Sequence, residues 1–291
     1  MSTKSVQADT SKISTLRLGA VLKDVYFPEN NEELLKIYAK IGDKQPTVLG
    51  GISNTLVVED TNEPVIMTSL LKEIIISNNY LYASSGDSLI RICNLALEYG
   101  LSGLENLSGI PGTLGGAIKG NSGSYGSAIS DFIDRVYIFS WDSGKIIELQ
   151  KKDLAFGYRY SSIKQDRDIV LGASFILQPE KPQEISKRMQ EVAFMRRSTQ
   201  PKGKSLGSVF KRYEDVSAGY YIEKAGLKGY SLNGMEISSV HANFIVNNGG
   251  SVDDYLCLIN LIKTKVFECF GVKLEEEVRI IGCKQCTKNS L

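Results

Sequence analysis

Glycine is concentrated in residues 100–126, and this pattern could hold a phosphate or pyrophosphate group with backbone N–H donors. The stretch contains nine of the chain's 27 glycines, and its only charged residues are Glu105 and Lys119. Glycine gathers where φ must be positive or where the backbone must approach another group closely. A nearly uncharged loop of this kind suits an anion, although a set of tight turns explains the same composition. Neither GxGxxG after a strand nor GxxxxGK[ST] occurs here, which argues against Rossmann and Walker sites.

A second, shorter glycine cluster, LGGISN, occupies residues 49–54 between two strand-like runs. Its paired glycines could turn the chain around a phosphate, and the Ser53 hydroxyl and the Asn54 amide could add hydrogen-bond donors. The same residues also suit an ordinary β-hairpin turn.

Three polar side chains stand where they could serve catalysis. Arg159 lies among aromatic residues in GYRYSS, where a guanidinium could bind a substrate carboxylate through two hydrogen bonds or stack on a neighbouring ring. Ser208 follows a glycine in GSVFK, but the GxSxG motif is absent, so an ordinary strand serine is the alternative. Glu277 ends the acidic run EEE, a pattern that is also typical of a solvated charge run.

Histidine and cysteine limit the metal and triad chemistry. His241 is the single histidine, which excludes a zinc site with two His ligands and leaves one residue around which a Ser-His-Asp triad could form. The five cysteines are odd in number and scattered, as in a compartment that keeps thiols reduced. They are Cys93, Cys257, Cys269, Cys283 and Cys286. The CxxC pair at 283–286 has no second pair and no histidine nearby, so no metal site is expected.

Charge and hydropathy exclude two classes of partner. The 34 basic and 33 acidic residues give a net charge of +1, which provides no electrostatic footprint for duplex nucleic acid or an anionic membrane. No apolar run approaches the roughly 18 to 20 residues that span a bilayer, and the N-terminus has no apolar stretch of signal-peptide length. The sequence therefore predicts a cytoplasmic protein.

The periodicity of the chain predicts the elements that must position these residues. Helices are expected over 31–41, behind an Asn cap, over 88–99, ended by Gly100, and over 183–197 and 252–270. Short β-rich runs predict strands over 47–49, 55–58, 65–69, 73–76, 80–83, 136–139, 145–149, 169–177, 208–211, 244–247 and 278–281. The order of elements in the first third of the chain predicts a mixed α+β structure there.

At about 150 residues per domain, the 291 residues predict two domains. Residues 1–13 are small and polar, without periodicity, and are expected to form a disordered tail. The polar segment PEKPQE is interpreted as a linker. It separates a first domain over 14–180 from a second domain over 181–282, and 283–291 form a second tail.

Several motifs, in the same order, resemble the bacterial UDP-N-acetylenolpyruvoylglucosamine reductase family. The resemblance extends from about Ser14 to Gly282, and the glycine stretch GLSGLENLSGIPGTLGGAIKGNSGSYG is similar to the family's flavin-binding segment. The later motifs lie where the family has its own versions of FGYRYS, LGSVFK, KAGLKGY, HANFIVN and EEEVRIIG. Together these motifs are specific, and the compact length resembles the shorter, type II subclass.

The resemblance implies an α+β fold, with a two-lobed FAD-binding domain of the PCMH/VAO flavoprotein type followed by an α/β substrate-binding domain. The lobes of the first domain are expected at about 14–78 and 79–180. It implies non-covalent FAD, NADPH as reductant, a nucleotide-sugar substrate, no nucleic-acid or membrane partner, no metal, and a monomer. Carried over by motif, the catalytic residues are Arg159, Ser208 and Glu277. The cofactor-binding residues are Gly50, Gly51, Ser53, Asn54, Gly109, Pro111, Gly112, Gly115, Gly116, Asn121 and Gly123. The substrate-binding residues are Tyr125, Arg197 and Lys211.

The implied reaction reduces the C=C bond of an enol ether to give UDP-N-acetylmuramate for peptidoglycan precursor synthesis. Hydride passes from NADPH to FAD and then to the vinyl carbon of the enolpyruvyl group, and Ser208 delivers a proton to the adjacent carbon. Arg159 and Glu277 polarise the substrate carboxylate, with Glu277 protonated or acting through a hydrogen-bond network. Two alternatives stay open: a flavoprotein of the same fold with another substrate, and a non-catalytic relative that binds flavin or nucleotide-sugar.

The chain departs from the family's usual GGGSN at Ile52. If this position needs a left-handed backbone, a β-branched residue costs about 1 to 2 kcal/mol there. Ile52→Gly is then expected to tighten flavin binding, or to leave it unchanged if the backbone is extended.

Overall fold

The structure, a computed structural model, describes residues 4–164 and 167–282. The α-helices are α1 (Thr10–Ile13), α2 (Asn31–Ile41), α3 (Leu89–Glu98), α4 (Leu114–Lys119), α5 (Pro182–Thr199), α6 (Ala218–Lys224) and α7 (Val252–Phe270). The strands are β1 (Val6–Asp9), β2 (Val21–Tyr26), β3 (Thr47–Leu49), β4 (Thr55–Val57), β5 (Thr61–Met67), β6 (Ile74–Ser77), β7 (Tyr80–Ser84), β8 (Leu101–Ser102), β9 (Gly123–Ser124), β10 (Ser127–Ala128), β11 (Ile133–Ser140), β12 (Lys145–Gln150), β13 (Phe156–Gly157), β14 (Tyr160–Ser161), β15 (Asp168–Ile176), β16 (Gln178–Pro179), β17 (Ser231–Leu232), β18 (Met235–Ile237), β19 (Ile245–Asn247) and β20 (Arg279–Ile281). The predicted α+β class is confirmed.

The chain forms two compact units, and neither is continuous in sequence. Unit 1 comprises the residues up to Gln7, Lys23–Gly51 and Glu63–Arg196. Unit 2 comprises Ala8–Leu22, Ile52–Asn62 and the residues from Arg197 onward. Each hydrophobic cluster of buried residues stays within one unit.

An antiparallel five-stranded sheet forms the centre of unit 1, in the order β12-β11-β15-β7-β6. Its central strand, β15, is buried over eight consecutive residues, which explains its nearly continuous apolar sequence. A Cβ at Gly172 of this strand would lie 2.6 Å from the Tyr82 hydroxyl, so a larger residue would push β7 away. Helix α3 packs Leu89 and Ile92 into the same core.

Helix α5 belongs to unit 1, although the sequence predicts a domain boundary at residue 180. Its Arg188 guanidinium forms ion pairs with Glu105 at 2.8 Å and with Glu180 at 2.5 Å. The segment interpreted as a linker is structured, since Pro179 ends β16, which pairs with β8, and Pro182 begins α5. Proline suits the first helical position, where no intrahelical N–H bond is lost. Unit 1 therefore ends at the C-terminal part of α5 and not before it.

The core of unit 2 combines the sheet β17-β18-β19, the parallel pair β4-β20 and helices α6 and α7. Helix α7 begins with a capping box, in which the Ser251 hydroxyl accepts from the Asp254 N–H and the Asp254 carboxylate accepts from the Ser251 N–H. It ends at Gly271, which has a φ of +68°. Leu16 and Leu56, from the two early segments of the chain, are fully buried in this core.

Residues 6–13 are not a disordered tail, so that prediction is wrong for them. They form β1 and α1, and the Asp9 carboxylate caps the helix by accepting from the Ser11 N–H at 3.0 Å. Thr10 is fully buried, and its hydroxyl donates to the Ala20 carbonyl at 2.8 Å. Polar side chains hold this segment through hydrogen bonds, which its composition does not reveal.

The longer helices agree with their sequence signals. The ranges predicted for α2 and α7 are confirmed to the residue, and Gly100 after α3 has the expected positive φ, +65°. Residues 208–211, predicted as a strand, instead make isolated bridge pairings on two sides.

No helix in the described part of the chain is both long and apolar enough to cross a bilayer.

Candidate active site

Two glycine-rich loops of unit 1 approach each other so closely that side chains are excluded between them. A Cβ at Gly50 would lie 2.4 Å from Thr113 Oγ1, and a Cβ at Gly51 would lie 3.3 Å from the Gly112 Cα. Gly112 also has a φ of +118°, which favours glycine. The first glycine cluster and the long glycine stretch, separate in sequence, therefore meet at one place.

Two buried hydroxyls flank this place without a hydrogen-bond partner among the described residues. They are Thr113 Oγ1 and Ser85 Oγ, and a Cβ at Gly115 would lie 3.0 Å from the Ser85 Cβ. A buried donor left unsatisfied costs about 1 to 3 kcal/mol, so such groups in a native fold point to a missing partner. A ligand rich in acceptor oxygens, such as a pyrophosphate, would satisfy both. Sequence reasoning missed both residues, although Thr113 lies within the glycine stretch.

The remainder of the glycine stretch is held by specific contacts within unit 1. Gly109 has a φ of +80°, and a Cβ at Gly123 would lie 2.6 Å from the Ser127 carbonyl oxygen. Asn121 donates from its amide to the Gly157 carbonyl at 2.9 Å and accepts from a main-chain N–H at 3.3 Å. Asn121 thus joins the glycine stretch to the segment that precedes Arg159. A Cβ at Gly116 would meet open space.

Ile52 has the left-handed backbone conformation on which the expected effect of Ile52→Gly depends. Its φ is +47°, and its side chain is 4% exposed. Its carbonyl accepts a hydrogen bond from the Thr15 N–H at 3.2 Å within unit 2. The isoleucine therefore combines backbone strain with a buried apolar side chain.

Asn54, predicted to bind cofactor, is engaged in holding the backbone near Glu277. Its side-chain amide donates to the Glu277 carbonyl at 3.0 Å, and its own carbonyl accepts from the Arg279 N–H at 3.0 Å. The parallel pairing of β4 with β20 begins at the next residue, Thr55. The contacts of Asn54 thus connect the first glycine cluster with the predicted catalytic glutamate.

Arg159 lies in unit 1 with a φ of +54°. Its guanidinium carbon lies 5.2 Å from the centre of the Tyr158 ring, and Nη1 donates to the Gly123 carbonyl at 3.5 Å. A cavity of about 360 Å³ lies beside it. The cavity is lined by Lys119, Arg159, Tyr160, Ser161, Ser162, Ile163 and Lys164. Ring stacking is therefore observed, and the same guanidinium lines an open cavity that a substrate carboxylate could enter.

Tyr125, predicted to bind substrate, contacts Arg196, a residue that the sequence does not single out. The Arg196 guanidinium lies 5.3 Å from the centre of the Tyr125 ring and donates to the Ser108 carbonyl at 3.0 Å and the Ser124 hydroxyl at 2.7 Å. Burial lowers the pKa of Arg196. Arg197 is exposed and lies in unit 2. Successive helical residues point in directions about 100° apart, which separates these neighbours.

Ser208 and Glu277 lie on adjacent segments of unit 2. The Glu277 N–H donates to the Val209 carbonyl at 2.8 Å, and Ser208 forms an isolated bridge with Phe244. Both Ser208 and Glu277 are half-buried. The Ser208 hydroxyl makes no hydrogen bond with any residue that the structure describes. It is therefore available to a substrate.

Lys211, predicted to bind substrate, is close to the same segments. Its side chain forms an ion pair with Glu275, and its N–H donates to the Glu275 carbonyl at 2.9 Å. Of the predicted residues, unit 1 holds Gly50, Gly51, Gly109, Pro111, Gly112, Gly115, Gly116, Asn121, Gly123, Tyr125 and Arg159. Unit 2 holds Ser53, Asn54, Arg197, Ser208, Lys211 and Glu277.

Residues 4–164 and 167–282 contain no group of three His, Cys, Asp or Glu side chains that could hold a metal ion. The CxxC pair, Cys283 and Cys286, lies outside the described residues.

Comparison with known proteins matches both parts of the chain to family models. Residues 23–150 match an FAD binding domain, and residues 200–281 match the C-terminal domain of UDP-N-acetylenolpyruvoylglucosamine reductase. The first match begins where unit 1 resumes at Lys23, and the second lies within unit 2. The chain therefore contains an FAD-binding domain of the PCMH type.

Individual relatives cover nearly the whole chain. UDP-N-acetylenolpyruvoylglucosamine reductase of Pediococcus pentosaceus is 38% identical over 278 residues, which is 94% of this chain and 92% of that protein. The enzyme of that name from Staphylococcus aureus strain COL is 38% identical over 88% of this chain and 84% of its own length. The crystal structure of the Thermus caldophilus reductase, MurB, superposes with a TM-score of 0.84 at 31% identity, covering 96% of this chain and 99% of that one. These matches show that the chain belongs to the UDP-N-acetylenolpyruvoylglucosamine reductase family.

Proposed function

We propose that this protein reduces the enolpyruvyl group of UDP-N-acetylglucosamine enolpyruvate to UDP-N-acetylmuramate, in peptidoglycan precursor synthesis, with FAD as cofactor and NADPH as reductant. The observation that carries this proposal is the pairing of the Ser208 and Glu277 segments. In a member of this family, the half-buried Ser208 hydroxyl makes no hydrogen bond with the described residues. The next residue, Val209, accepts from the Glu277 N–H. We further propose that the protein belongs to the shorter, type II subclass, as the family resemblance implies.

The residues of unit 1 fit FAD. Thr113 and Ser85 offer unsatisfied buried hydroxyls, and Gly50 and Gly51 leave a space that Cβ atoms would fill. In residues 109–116, the N–H groups of Ile110, Leu114 and Gly115 already donate to main-chain carbonyls. The N–H groups of Gly112, Thr113 and Gly116, with the two hydroxyls, would hold the pyrophosphate. When bound, FAD supplies a carrier for hydride between the nicotinamide and the vinyl carbon. We infer that the remaining predicted cofactor-binding residues of unit 1 contribute to the same site. Ser53 and Asn54 are proposed to bind the cofactor as the family resemblance implies.

Arg159 is proposed to bind the carboxylate of the enolpyruvyl group. The guanidinium lines a cavity of about 360 Å³ and stacks on Tyr158, which limits its freedom before substrate binds. When hydride adds to the vinyl carbon, negative charge develops on the adjacent carbon and its carboxylate. A fixed cation next to that carboxylate stabilises the enolate-like state.

Ser208 is proposed to donate the proton that neutralises this charge. Its O–H bond breaks as a C–H bond forms at the carbon next to the vinyl carbon, so the substrate gains one hydride and one proton in total. Glu277 assists in protonated form or through a hydrogen-bond network, because a bare carboxylate would repel the enolate. We assign Tyr125, Arg197 and Lys211 to substrate binding, as the family resemblance implies.

The proposal is tested by NADPH oxidation with the purified protein after addition of FAD. Oxidation that depends on UDP-N-acetylglucosamine enolpyruvate, with UDP-N-acetylmuramate as product, is expected. Flavin that is reduced by NADPH but not reoxidised by this substrate would indicate a flavoprotein with another substrate. A preparation that binds the nucleotide-sugar without turnover would indicate a non-catalytic relative. We further propose that the protein is a cytoplasmic monomer. Sedimentation of the purified protein measures its oligomeric state.

A further inference from the structure

Asn243 contacts the backbone that follows Ser208 at three points. Its side-chain Oδ1 accepts from the Phe210 N–H at 3.0 Å, and its Nδ2 donates to the Phe210 carbonyl at 2.8 Å. Its own carbonyl accepts from the Val209 N–H at 2.9 Å. Asn243 is 5% exposed, so these bonds are shielded from water. The carboxamide thus replaces a neighbouring strand in pairing both polar groups of one residue.

The opposite edge of the same segment is held by the C-terminal residues. The Val209 carbonyl accepts from the Glu277 N–H, and the Lys211 N–H donates to the Glu275 carbonyl at 2.9 Å. Since the Ser208 side chain forms no bond with the described residues, its direction is set by this backbone alone. Asn243 supplies the bonds on one side, where regular strand pairing is absent.

His241 holds Asn243 in turn. The Asn243 N–H donates to His241 Nδ1 at 3.2 Å, and the Ser238 hydroxyl accepts from the His241 N–H at 3.2 Å. Burial lowers the pKa of His241, which keeps the ring neutral so that Nδ1 can accept. The hydrogen bonds therefore run from a turn at 238–243 to the segment that carries Ser208.

We propose that Asn243 is a positioning residue that directs the Ser208 hydroxyl toward the substrate carbon. This inference rests on the proposed function. Asn243 does not touch the reacting atoms and acts only through the Phe210 and Val209 backbone. A shift of about 1 Å in a reacting group can cost about 100-fold in rate, so loss of this clamp is expected to slow protonation.

The first test compares Asn243→Ala with Asn247→Ala. Asn247 is 7% exposed and also bonds backbone groups, donating to the Leu16 carbonyl at 2.9 Å and accepting from the Gly249 N–H at 2.8 Å. Both variants lose buried hydrogen bonds of unit 2, but Asn247 makes none with residues 208–211. Stopped-flow spectroscopy of the FAD-loaded protein measures flavin reduction by NADPH and flavin reoxidation by the enolpyruvyl substrate separately.

Asn243→Ala is expected to slow reoxidation by about 10- to 100-fold while flavin reduction stays close to wild type. Asn247→Ala is expected to lower the melting temperature with little change in either rate. Equal effects of the two variants on reoxidation would overturn the inference. In a Ser208→Ala background, Asn243→Ala is expected to add almost nothing, and a full additional loss there would also overturn it.

Asn243→Asp provides a second measurement if the alanine variant does not fold. A protonated aspartic acid can accept from the Phe210 N–H and donate to its carbonyl, as asparagine does, whereas a carboxylate cannot donate. The titratable group that is hydrogen-bonded to Asn243 is His241, and it is also present in wild type. Glu275 and Glu277 form backbone hydrogen bonds with the opposite edge of residues 208–211. Reoxidation by Asn243→Asp should recover, relative to wild type, as the pH is lowered, and a constant ratio would contradict the proposal. Failure of wild type to be reoxidised by the substrate would instead refute the proposed function.

Discussion

The main-chain N–H of Glu277 donates a 2.8 Å hydrogen bond to the carbonyl of Val209, the residue that follows Ser208. Two residues almost seventy positions apart in sequence are thereby kept in register. A displacement of the C-terminal segment would move the serine segment with it. The relative placement of the proposed proton donor and the proposed glutamate therefore depends on backbone geometry rather than on contact between their side chains.

Removal of the Ser208 hydroxyl is expected to separate the two half-reactions. In Ser208→Ala, flavin reduction by NADPH should stay close to wild type, because that step needs no acid from the protein. Reoxidation by the enolpyruvyl substrate should slow by about 100-fold, as is typical of a lost general acid. Ser208→Cys should retain more activity than the alanine variant, since a thiol can still donate a proton. Stopped-flow absorbance distinguishes these outcomes, and equal reoxidation rates in wild type and Ser208→Ala would remove Ser208 from the mechanism.

The left-handed backbone at Ile52 predicts an unusual order of variant stabilities. Loss of the buried side chain costs about 2 to 5 kcal/mol, which exceeds the relief of about 1 to 2 kcal/mol of strain. Ile52→Gly should therefore be less stable than wild type, so a gain in flavin affinity is not expected to come with a gain in stability. Alanine keeps the strain and loses the same packing. Ile52→Gly should thus be more stable than Ile52→Ala by about 1 kcal/mol, and urea denaturation that ranks alanine above glycine would show that the φ of +47° is not maintained.

The close approach of the glycine loops predicts that Gly50→Ala weakens FAD binding. The new Cβ would lie 2.4 Å from Thr113 Oγ1, which forces the Thr113 side chain or one of the loops to move. Gly120→Ala is a matched control, because its Cβ would lie 3.5 Å from the nearest atom and its φ is negative. Fluorescence titration with FAD should show weaker binding for Gly50→Ala only.

The double variant Gly50→Ala/Thr113→Ala then distinguishes a steric effect of Thr113 from a role of its hydroxyl in binding FAD. Removal of the threonine hydroxyl eliminates the close contact. The free energy of unfolding of the double variant should therefore exceed that of Gly50→Ala and approach that of Thr113→Ala. FAD affinity should stay below wild type if the hydroxyl is a ligand of the cofactor. Full recovery of affinity would assign Thr113 a purely steric role.

The hydrogen bonds that Glu105 accepts predict that the folded protein loses stability in acid. Burial would raise the pKa of this carboxyl, but hydrogen bonds from Arg188, the Gly103 N–H and Ser102 outweigh it and hold the pKa below the ordinary value of 4.5. A carboxyl with a lowered pKa in the folded state stabilises fully above its unfolded pKa, and this contribution is lost as the pH falls through the folded value. Glu105→Gln should be less stable near pH 7, and its unfolding free energy should decline less below pH 4.5 than that of wild type. Parallel pH profiles would contradict this assignment.

The parts of the fold that sequence predicts well are those with local signals. Asn30 and Ser251 cap α2 and α7 with hydrogen bonds to nearby residues, and Gly100 provides the positive φ after α3. Each of these signals lies within a few residues of the structure that it specifies. The parts that sequence does not predict depend on distant partners. The clamp of Phe210 by Asn243 and the orphaned hydroxyls of Ser85 and Thr113 leave no periodic pattern.

The candidate site shows the same division. The family motifs point to Arg159, Ser208 and Glu277. They also point to Arg197, which stays a proposed substrate-binding residue, but they do not indicate a contact for its neighbour, Arg196. In the structure it is Arg196 that contacts the Tyr125 ring and the 106–108 turn. Two adjacent arginines at the end of a helix are equivalent in composition, and only the packing of α5 decides which one turns inward.

The discontinuity of unit 2 determines the order in which this protein can fold on the ribosome. Strand β4 leaves the exit tunnel early, but its parallel partner β20 is among the last described residues to be made. Until then, Leu16 and Leu56 have no completed core to enter. Pairings between distant parts of a chain form slowly and leave apolar surface exposed in the meantime. A fragment that begins at residue 197 would lack both leucines, so the second unit needs the early segments Ala8–Leu22 and Ile52–Asn62 to complete its core.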